Sequence, residues 1–218
     1  MKIANFIDHT VLKADAAAED IKKLCKEAMD YHFYAVCVNP IWVKTAKKLL
    51  KNSNVKVCTV VGFPLGAAAS ETKAFEAKQA VADGVDEIDM VMNIGALKSG
   101  HLECVQQDIE SVVAAAGRSA RVKVIIETCL LTKKEKEIAC QLIEKSGADF
   151  VKTSTGFASG GATVDDIKLL KSIVEDRVEI KASGGIRDYA FAAELIEAGA
   201  TRIGSSASVA IVNGGSME

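Results

Sequence analysis

Four charged residues stand where a strand should carry none. Asp89 lies among Ile88, Met90 and Val91; Lys152 follows Phe150 and Val151; Lys181 follows Ile180; and Glu127 closes the run Val124-Ile125-Ile126. Strand side chains alternate between two faces, and in a buried sheet both faces are dry. An unpaired charge on either face is costly. One such residue is accounted for by a structural ion pair or a frayed strand end. Four of them, each toward the C-terminal end of its run, fall where α/β barrels build active sites. Two lysines together also have a chemical use. A free lysine has a pKa of about 10.4 and is rarely nucleophilic at neutral pH. Burial and a neighbouring ammonium both favour the neutral amine, which can attack a carbonyl. Asp89 can move protons or balance the excess positive charge.

Two glycine- and serine-rich stretches suggest an anion site. Ala182-Ser183-Gly184-Gly185-Ile186-Arg187-Asp188 follows the Lys181 run, and Gly204-Ser205-Ser206-Ala207-Ser208 follows the last apolar run. Glycine lets a backbone approach an anion, and a helix start offers free N–H groups. Each stretch alone also reads as an ordinary strand-to-helix turn. No Gly-x-x-x-x-Gly-Lys-[Ser/Thr] loop competes for the phosphate role. His9 is expected near the mouth of the site, and His32 and His101 at helix ends. Cysteines and histidines have no zinc-like spacing, so neither a metal nor a cofactor is expected.

These residues need a scaffold that alternates strands and helices. Strand-like runs are Ala35–Val38, Val55–Val61, Val85–Met92, Val122–Glu127, Asp149–Thr153, Val178–Ala182 and Thr201–Gly204, with a weaker one at Phe6–Asp8. Ile21, Leu24, Cys25, Ala28 and Met29 share one helix face. Thr132 with Glu135 forms a capping-box signature. Thr163 with Asp166, and Asp188, mark further helix starts. Gly84, Gly147 and Gly199 each precede a strand and predict left-handed helix ends. About eight strand–helix units without a linker predict one TIM (β/α)8 barrel over residues 1–218. The glycine-rich loops then follow strands seven and eight, the recurrent phosphate site of that fold. An open doubly wound sheet is the alternative, but its Gly-x-Gly-x-x-Gly turn is missing.

The 218 residues are 49% hydrophobic and 26% charged, with net charge -2. That balance argues against a nucleic-acid or anionic-membrane surface. Six cysteines without paired spacing suit a reducing compartment, read here as the cytoplasm. The N-terminal apolar run is too short for a signal peptide, and no run is long enough for a membrane span.

The sequence resembles the class I deoxyribose-phosphate aldolases. The most specific motif is Phe150-Val151-Lys152-Thr153-Ser154-Thr155-Gly156-Phe157. Others are Ile180-Lys181-Ala182-Ser183-Gly184-Gly185-Ile186-Arg187, Asp86-Glu87-Ile88-Asp89-Met90-Val91, Ile7-Asp8-His9-Thr10-Val11-Leu12, Ala35-Val36-Cys37-Val38-Asn39-Pro40, Val61-Gly62-Phe63-Pro64-Leu65-Gly66, Val124-Ile125-Ile126-Glu127-Thr128 and Arg202-Ile203-Gly204-Ser205-Ser206. They run through nearly the whole chain in order. The resemblance implies a metal-free barrel that cleaves 2-deoxy-D-ribose 5-phosphate to acetaldehyde and D-glyceraldehyde 3-phosphate, as a homodimer or homotetramer. It implies Lys152 as the Schiff-base lysine, Lys181 as the lysine that lowers its pKa, and Asp89 as the proton-relay carboxylate. Gly156, Gly184, Gly185, Ser205 and Ser206 match phosphate-binding positions, and Cys37 and Thr155 match wall positions. Some members end in a tail with a terminal tyrosine; this chain ends Gly215-Ser216-Met217-Glu218. Another class I aldolase or transaldolase, and a non-catalytic phosphosugar-binding barrel, are the rival readings.

Overall fold

Eight apolar runs become eight parallel strands that close on themselves. In the computed structural model, which describes residues 2–214, these are β1 (Ile7–Val11), β2 (Ala35–Val38), β3 (Lys56–Val61), β4 (Glu87–Val91), β5 (Arg121–Ile125), β6 (Phe150–Lys152), β7 (Glu179–Ser183) and β8 (Arg202–Ser205). Each strand pairs with the next, and β8 pairs with β1. The expected TIM barrel is therefore the fold. The chain end, where the tyrosine tail was considered, lies outside the described residues.

Alternation along the strands divides their side chains between two environments. Ile7, Val36, Val38, Val57, Ile88, Met90, Val122, Val124, Val151, Ile180 and Ile203 belong to one continuous apolar core shared with the surrounding helices. Asp8, Cys58, Glu87, Asp89, Lys123, Lys152, Lys181 and Arg202 are buried on the other face, inside the barrel. The hydrophobic driving force thus acts on the outside of the sheet, which leaves the inside available for polar chemistry.

The helices begin and end where their side chains dictate. Thr132 and Glu135 cap each other's backbone: the Glu135 N–H donates to Thr132 Oγ1 at 3.3 Å, and the Thr132 N–H donates to Glu135 Oε2 at 2.7 Å. Thr163 and Asp188 cap the helices Val164–Val174 and Tyr189–Glu197 by accepting the Asp166 and Phe191 N–H groups, without a return bond. Gly84, Gly147 and Gly199 have φ of 92°, 73° and 121°, so the expected left-handed turns deliver the chain to β4, β6 and β8. Among the described residues, no helix is long and apolar enough to cross a membrane.

Thr132→Ala removes one of the two capping bonds at an exposed helix start outside the cavity lining. It is expected to lower stability by about 1 kcal/mol in urea titration while leaving turnover unchanged. An unaltered midpoint would show that this helix needs no cap.

Candidate active site

The strand register brings the two lysines side by side. Lys152 and Lys181 are partner positions on β6 and β7, so both point into the barrel at one level. Their side-chain nitrogens converge on a single atom. Lys152 Nζ is 2.7 Å and Lys181 Nζ is 2.8 Å from Asp89 Oδ2, contributed by β4 across the barrel. Asp89 and Lys181 are completely buried, and Lys152 is 3% exposed.

A third lysine, which the motif reading passed over, completes the arrangement. Lys123 on β5 reaches the other oxygen, Asp89 Oδ1, at 2.9 Å, and also pairs with Glu87 at 2.6 Å. Below them Asp8 pairs with Lys181 and with Arg202, the latter at 2.9 Å, and Arg202 reaches Glu87 at 2.7 Å. Seven charged side chains therefore bond one another inside the barrel. The three carboxylates come from β1 and β4; the four cations come from β5, β6, β7 and β8. Lys123 sits two residues from Arg121 and Ile125 on the inward parity of its strand, so the alternation that flagged Asp89 also marks it.

Electrostatics fix the charge states of most members. Burial opposes ionisation of Asp89, yet Lys123, Lys152 and Lys181 hold its carboxyl well below the usual carboxylate range. Burial likewise opposes the Lys181 ammonium, but Asp8 and Asp89 raise its pKa above the ordinary lysine value. Lys123 is raised for the same reason, with Asp89 its strongest partner. Asp8 is held at about 2 by Lys181, Arg202 and Lys123, against the upward push of burial.

Above Lys152 lies a cavity of about 300 Å³ at the C-terminal ends of the strands. Thr155 and Gly156 from the loop after β6, Ser183, Gly184 and Gly185 from the end of β7, and Gly204, Ser205 and Ser206 from β8 line it together with Lys152. The two glycine-rich loops thus meet over one opening, as their positions after strands seven and eight require. They approach closely. A Cβ on Gly161 would lie 2.2 Å from the Gly184 carbonyl oxygen, so only glycine lets the β6 and β7 loops touch there. Lys13 and Arg187 also line the cavity and form no carboxylate pair among the described residues. Neither was singled out from the sequence.

Two expected positions differ. Cys37 is fully buried with Leu12, Cys58, Val60 and Phe63 and does not line the cavity. His9 is not at the mouth. It lies on the helix-facing side of β1, where Nδ1 is 3.0 Å from Ser208 Oγ and Nε2 is 2.9 Å from Glu27 Oε2. Ser208 is completely buried, so this chain of bonds ties β1 to the helices Ala18–Asp30 and Ser208–Gly214 and offers no accessible nucleophile. Cys37, Cys58 and Asp89 bring ligand atoms within 4.8 Å of one another. A cation there would meet the Lys123 and Lys181 ammoniums already on Asp89, which lie 2.9 and 2.8 Å from its oxygens, and this makes the cluster a poor metal site.

A closed eight-stranded parallel barrel with a buried lysine pair at the C-terminal end of its strands is the architecture of a barrel enzyme with an amine-bearing active site. Comparison with known proteins gives the particular group: residues 2–214 match the DeoC/LacD family of aldolases, and the chain belongs to that family. It is 61% identical over 213 residues to deoxyribose-phosphate aldolase 1 of Bacillus licheniformis, covering 98% of this chain and 96% of the relative. It is 58% identical over 214 residues to the deoxyribose-phosphate aldolase of Streptococcus gordonii, covering 98% and 97%. The tetrameric deoxyribose phosphate aldolase of Aeropyrum pernix superposes with a TM-score of 0.90 at 35% identity, covering 97% of this chain and 89% of that one. The protein is an enzyme, an aldolase.

The ion network makes acid stability measurable. A carboxyl held below its unfolded value contributes stability above that value and loses it as pH falls through the folded one. Asp8 is held at about 2 against an ordinary 3.8, so Tm should fall steeply as pH drops from 3.8 toward about 2. A Tm that stays level through that window in calorimetry would show that Asp8 is not ion-paired in solution.

Proposed function

We propose that this aldolase reversibly cleaves 2-deoxy-D-ribose 5-phosphate to acetaldehyde and D-glyceraldehyde 3-phosphate through a Schiff base on Lys152. The observation that carries the reading is the convergence of Lys152 and Lys181 on Asp89 Oδ2 beneath a cavity that Lys152 alone of the three lines. The names of the relatives support the substrate.

The neutral Lys152 amine adds to the aldehyde carbon of the open-chain sugar, and the resulting carbinolamine loses water to give an iminium. The hydroxyl on the third carbon then loses its proton as the bond between the second and third carbons breaks. The electron pair flows to the iminium nitrogen and leaves an enamine. The third carbon departs as the aldehyde of D-glyceraldehyde 3-phosphate. Protonation of the enamine and hydrolysis by water release acetaldehyde and restore the lysine. Lys181, with its ammonium stabilised by Asp8 and Asp89, keeps a fixed positive charge beside Lys152. Asp89 accepts from both side chains and relays protons to and from the reacting group on Lys152.

The phosphate is assigned to Gly156, Gly184, Gly185, Ser205 and Ser206, with Lys13 and Arg187 supplying positive charge at the opening. Ser205 Oγ already donates to the Ile186 carbonyl at 2.7 Å and accepts from the Ala207 N–H at 2.9 Å, so its hydroxyl shapes the loop that receives the phosphate. Ser206 is exposed toward the opening. A soluble homodimer or homotetramer is the proposed assembly, supported by the tetrameric relative.

Borohydride added during turnover should reduce the adduct and leave a stable covalent mass on the peptide containing Lys152, and Lys152→Ala should abolish both turnover and labelling. Mapping of the label to Lys181 would reverse the two roles; absence of any label during turnover would end the Schiff-base reading. Ser206→Asp places a carboxylate against the phosphate. It should raise KM for deoxyribose 5-phosphate while affecting unphosphorylated deoxyribose much less. Equal losses on both substrates would remove the phosphate from these loops.

A further inference from the structure

Glu127 has no part in the reaction described above, although its carboxylate is buried at 3% exposure. It stands just after β5 in a left-handed conformation, with φ 51° and ψ 68°, which a residue with a side chain adopts at a cost. The carboxylate forms no ion pair among the described residues. Its partners all belong to Thr155. The Thr155 N–H lies 3.2 Å from both Glu127 oxygens, and the Thr155 hydroxyl donates to Glu127 Oε2. The same hydroxyl oxygen accepts the Phe157 N–H at 3.1 Å.

A threonine hydroxyl has one hydrogen and two acceptor positions. Here the hydrogen is committed to a carboxylate, which only accepts, and one acceptor position is filled by Phe157. What Thr155 can still present to the cavity it lines is a single acceptor. A substrate hydroxyl satisfies that position, because it brings a hydrogen. A methylene, an ether oxygen or a carbonyl oxygen does not.

We infer that Glu127 is a positioning residue that fixes the hydrogen-bond polarity of Thr155, and that Thr155 so fixed selects phosphorylated aldehydes bearing a free hydroxyl over their deoxy and ether analogues. The inference deepens the proposed function and rests on it. The carboxylate acts through Thr155 and touches no substrate itself. Its strained backbone and its burial beside the Lys152 loop are accounted for by this constraint: the loop must hold one rotamer, with its hydrogen turned away from the cavity.

The test compares two acceptor aldehydes in the direction of synthesis, with acetaldehyde as donor: D-glyceraldehyde 3-phosphate and 3-oxopropyl phosphate, which lacks the hydroxyl. The wild-type enzyme should prefer the first by about 10²-fold in kcat/KM, since a site built to bond a hydroxyl leaves its polar group unpaired without one. Glu127→Gln gives the hydroxyl and N–H of Thr155 a single carbonyl to share, and its amide can donate to Thr155 Oγ1. The threonine hydrogen then turns toward the cavity. A substrate hydroxyl can still accept that hydrogen, and so can an ether oxygen, which the wild type leaves unpaired. The variant should therefore keep its preference over 3-oxopropyl phosphate, while its discrimination against the 2-O-methyl ether of D-glyceraldehyde 3-phosphate falls by about 10-fold relative to wild type, with borohydride labelling of Lys152 retained. Thr155→Val should lose the preference over 3-oxopropyl phosphate, Thr155→Ser should keep both preferences, and Glu127→Gln combined with Thr155→Val should discriminate no differently from Thr155→Val alone. If Glu127→Gln does not fold, Glu127→Ala reads the same ether ratio. A wild-type enzyme that couples D-glyceraldehyde 3-phosphate and 3-oxopropyl phosphate equally well, or a Glu127→Gln enzyme that rejects the ether as strongly as the wild type does, would overturn the inference and leave the aldolase reading intact. Failure of the wild type on both aldehydes would instead bring down the substrate assignment itself.

Discussion

The structure depends on one carboxylate placed in a dry barrel. Asp89 accepts from three lysines, two of them on the same oxygen. A buried carboxylate of this kind is stable only while its partners are present, and each partner is stable only while the carboxylate is. The requirement extends outward: Lys181 needs Asp8, Asp8 needs Arg202, and Arg202 needs Glu87. The geometry proposed for catalysis and the interior packing are therefore the same set of bonds. Lys152 is the member with the fewest, one carboxylate oxygen that it shares, and it is the one that opens onto the cavity.

Much of this was legible because two-residue alternation survives in the sequence. Asp89, Lys152 and Lys181 stand out as charges in apolar runs, and they are at the centre of the network. Parity would also have placed His9 correctly. Asp8 and Thr10 face inward on β1, so the residue between them must face the helices. Lys123 escaped notice because Arg121 precedes it at the start of the run, which makes the pair look like a solvated strand end. Asp8, Glu87 and Arg202 could be read as charges but not as partners, since only closure of the barrel brings β1, β4 and β8 together. Cys37 shows the opposite limit. A small apolar side chain on the inward face can line a cavity or lie beneath one, and only the packing of Leu12 and Phe63 over it decides.

The loops show how shape and polarity are divided. Glycines at Gly161 and Gly184 let two loops touch, which sets the shape of the opening. Hydroxyls and carboxylates then set which hydrogens face inward. Thr155 and Ser205 each have their hydrogen committed to the protein, so neither is free to adapt to whatever enters. Such preorganisation is what distinguishes a site from a mere opening at the strand ends.

The distribution of charge along the chain has a consequence for how the barrel is made. All three enclosed acids belong to the first four strands, and all four enclosed cations to the last four. During synthesis the first half emerges with an interior that is purely negative. It cannot close on itself without burying like charges, and two nascent copies of it repel for the same reason. Only the second half of the same chain carries the neutralising residues at the matching level. The ion network thus gives each half-barrel a mate of opposite sign, and discourages the half-barrel dimers that a repeating strand–helix pattern would otherwise permit.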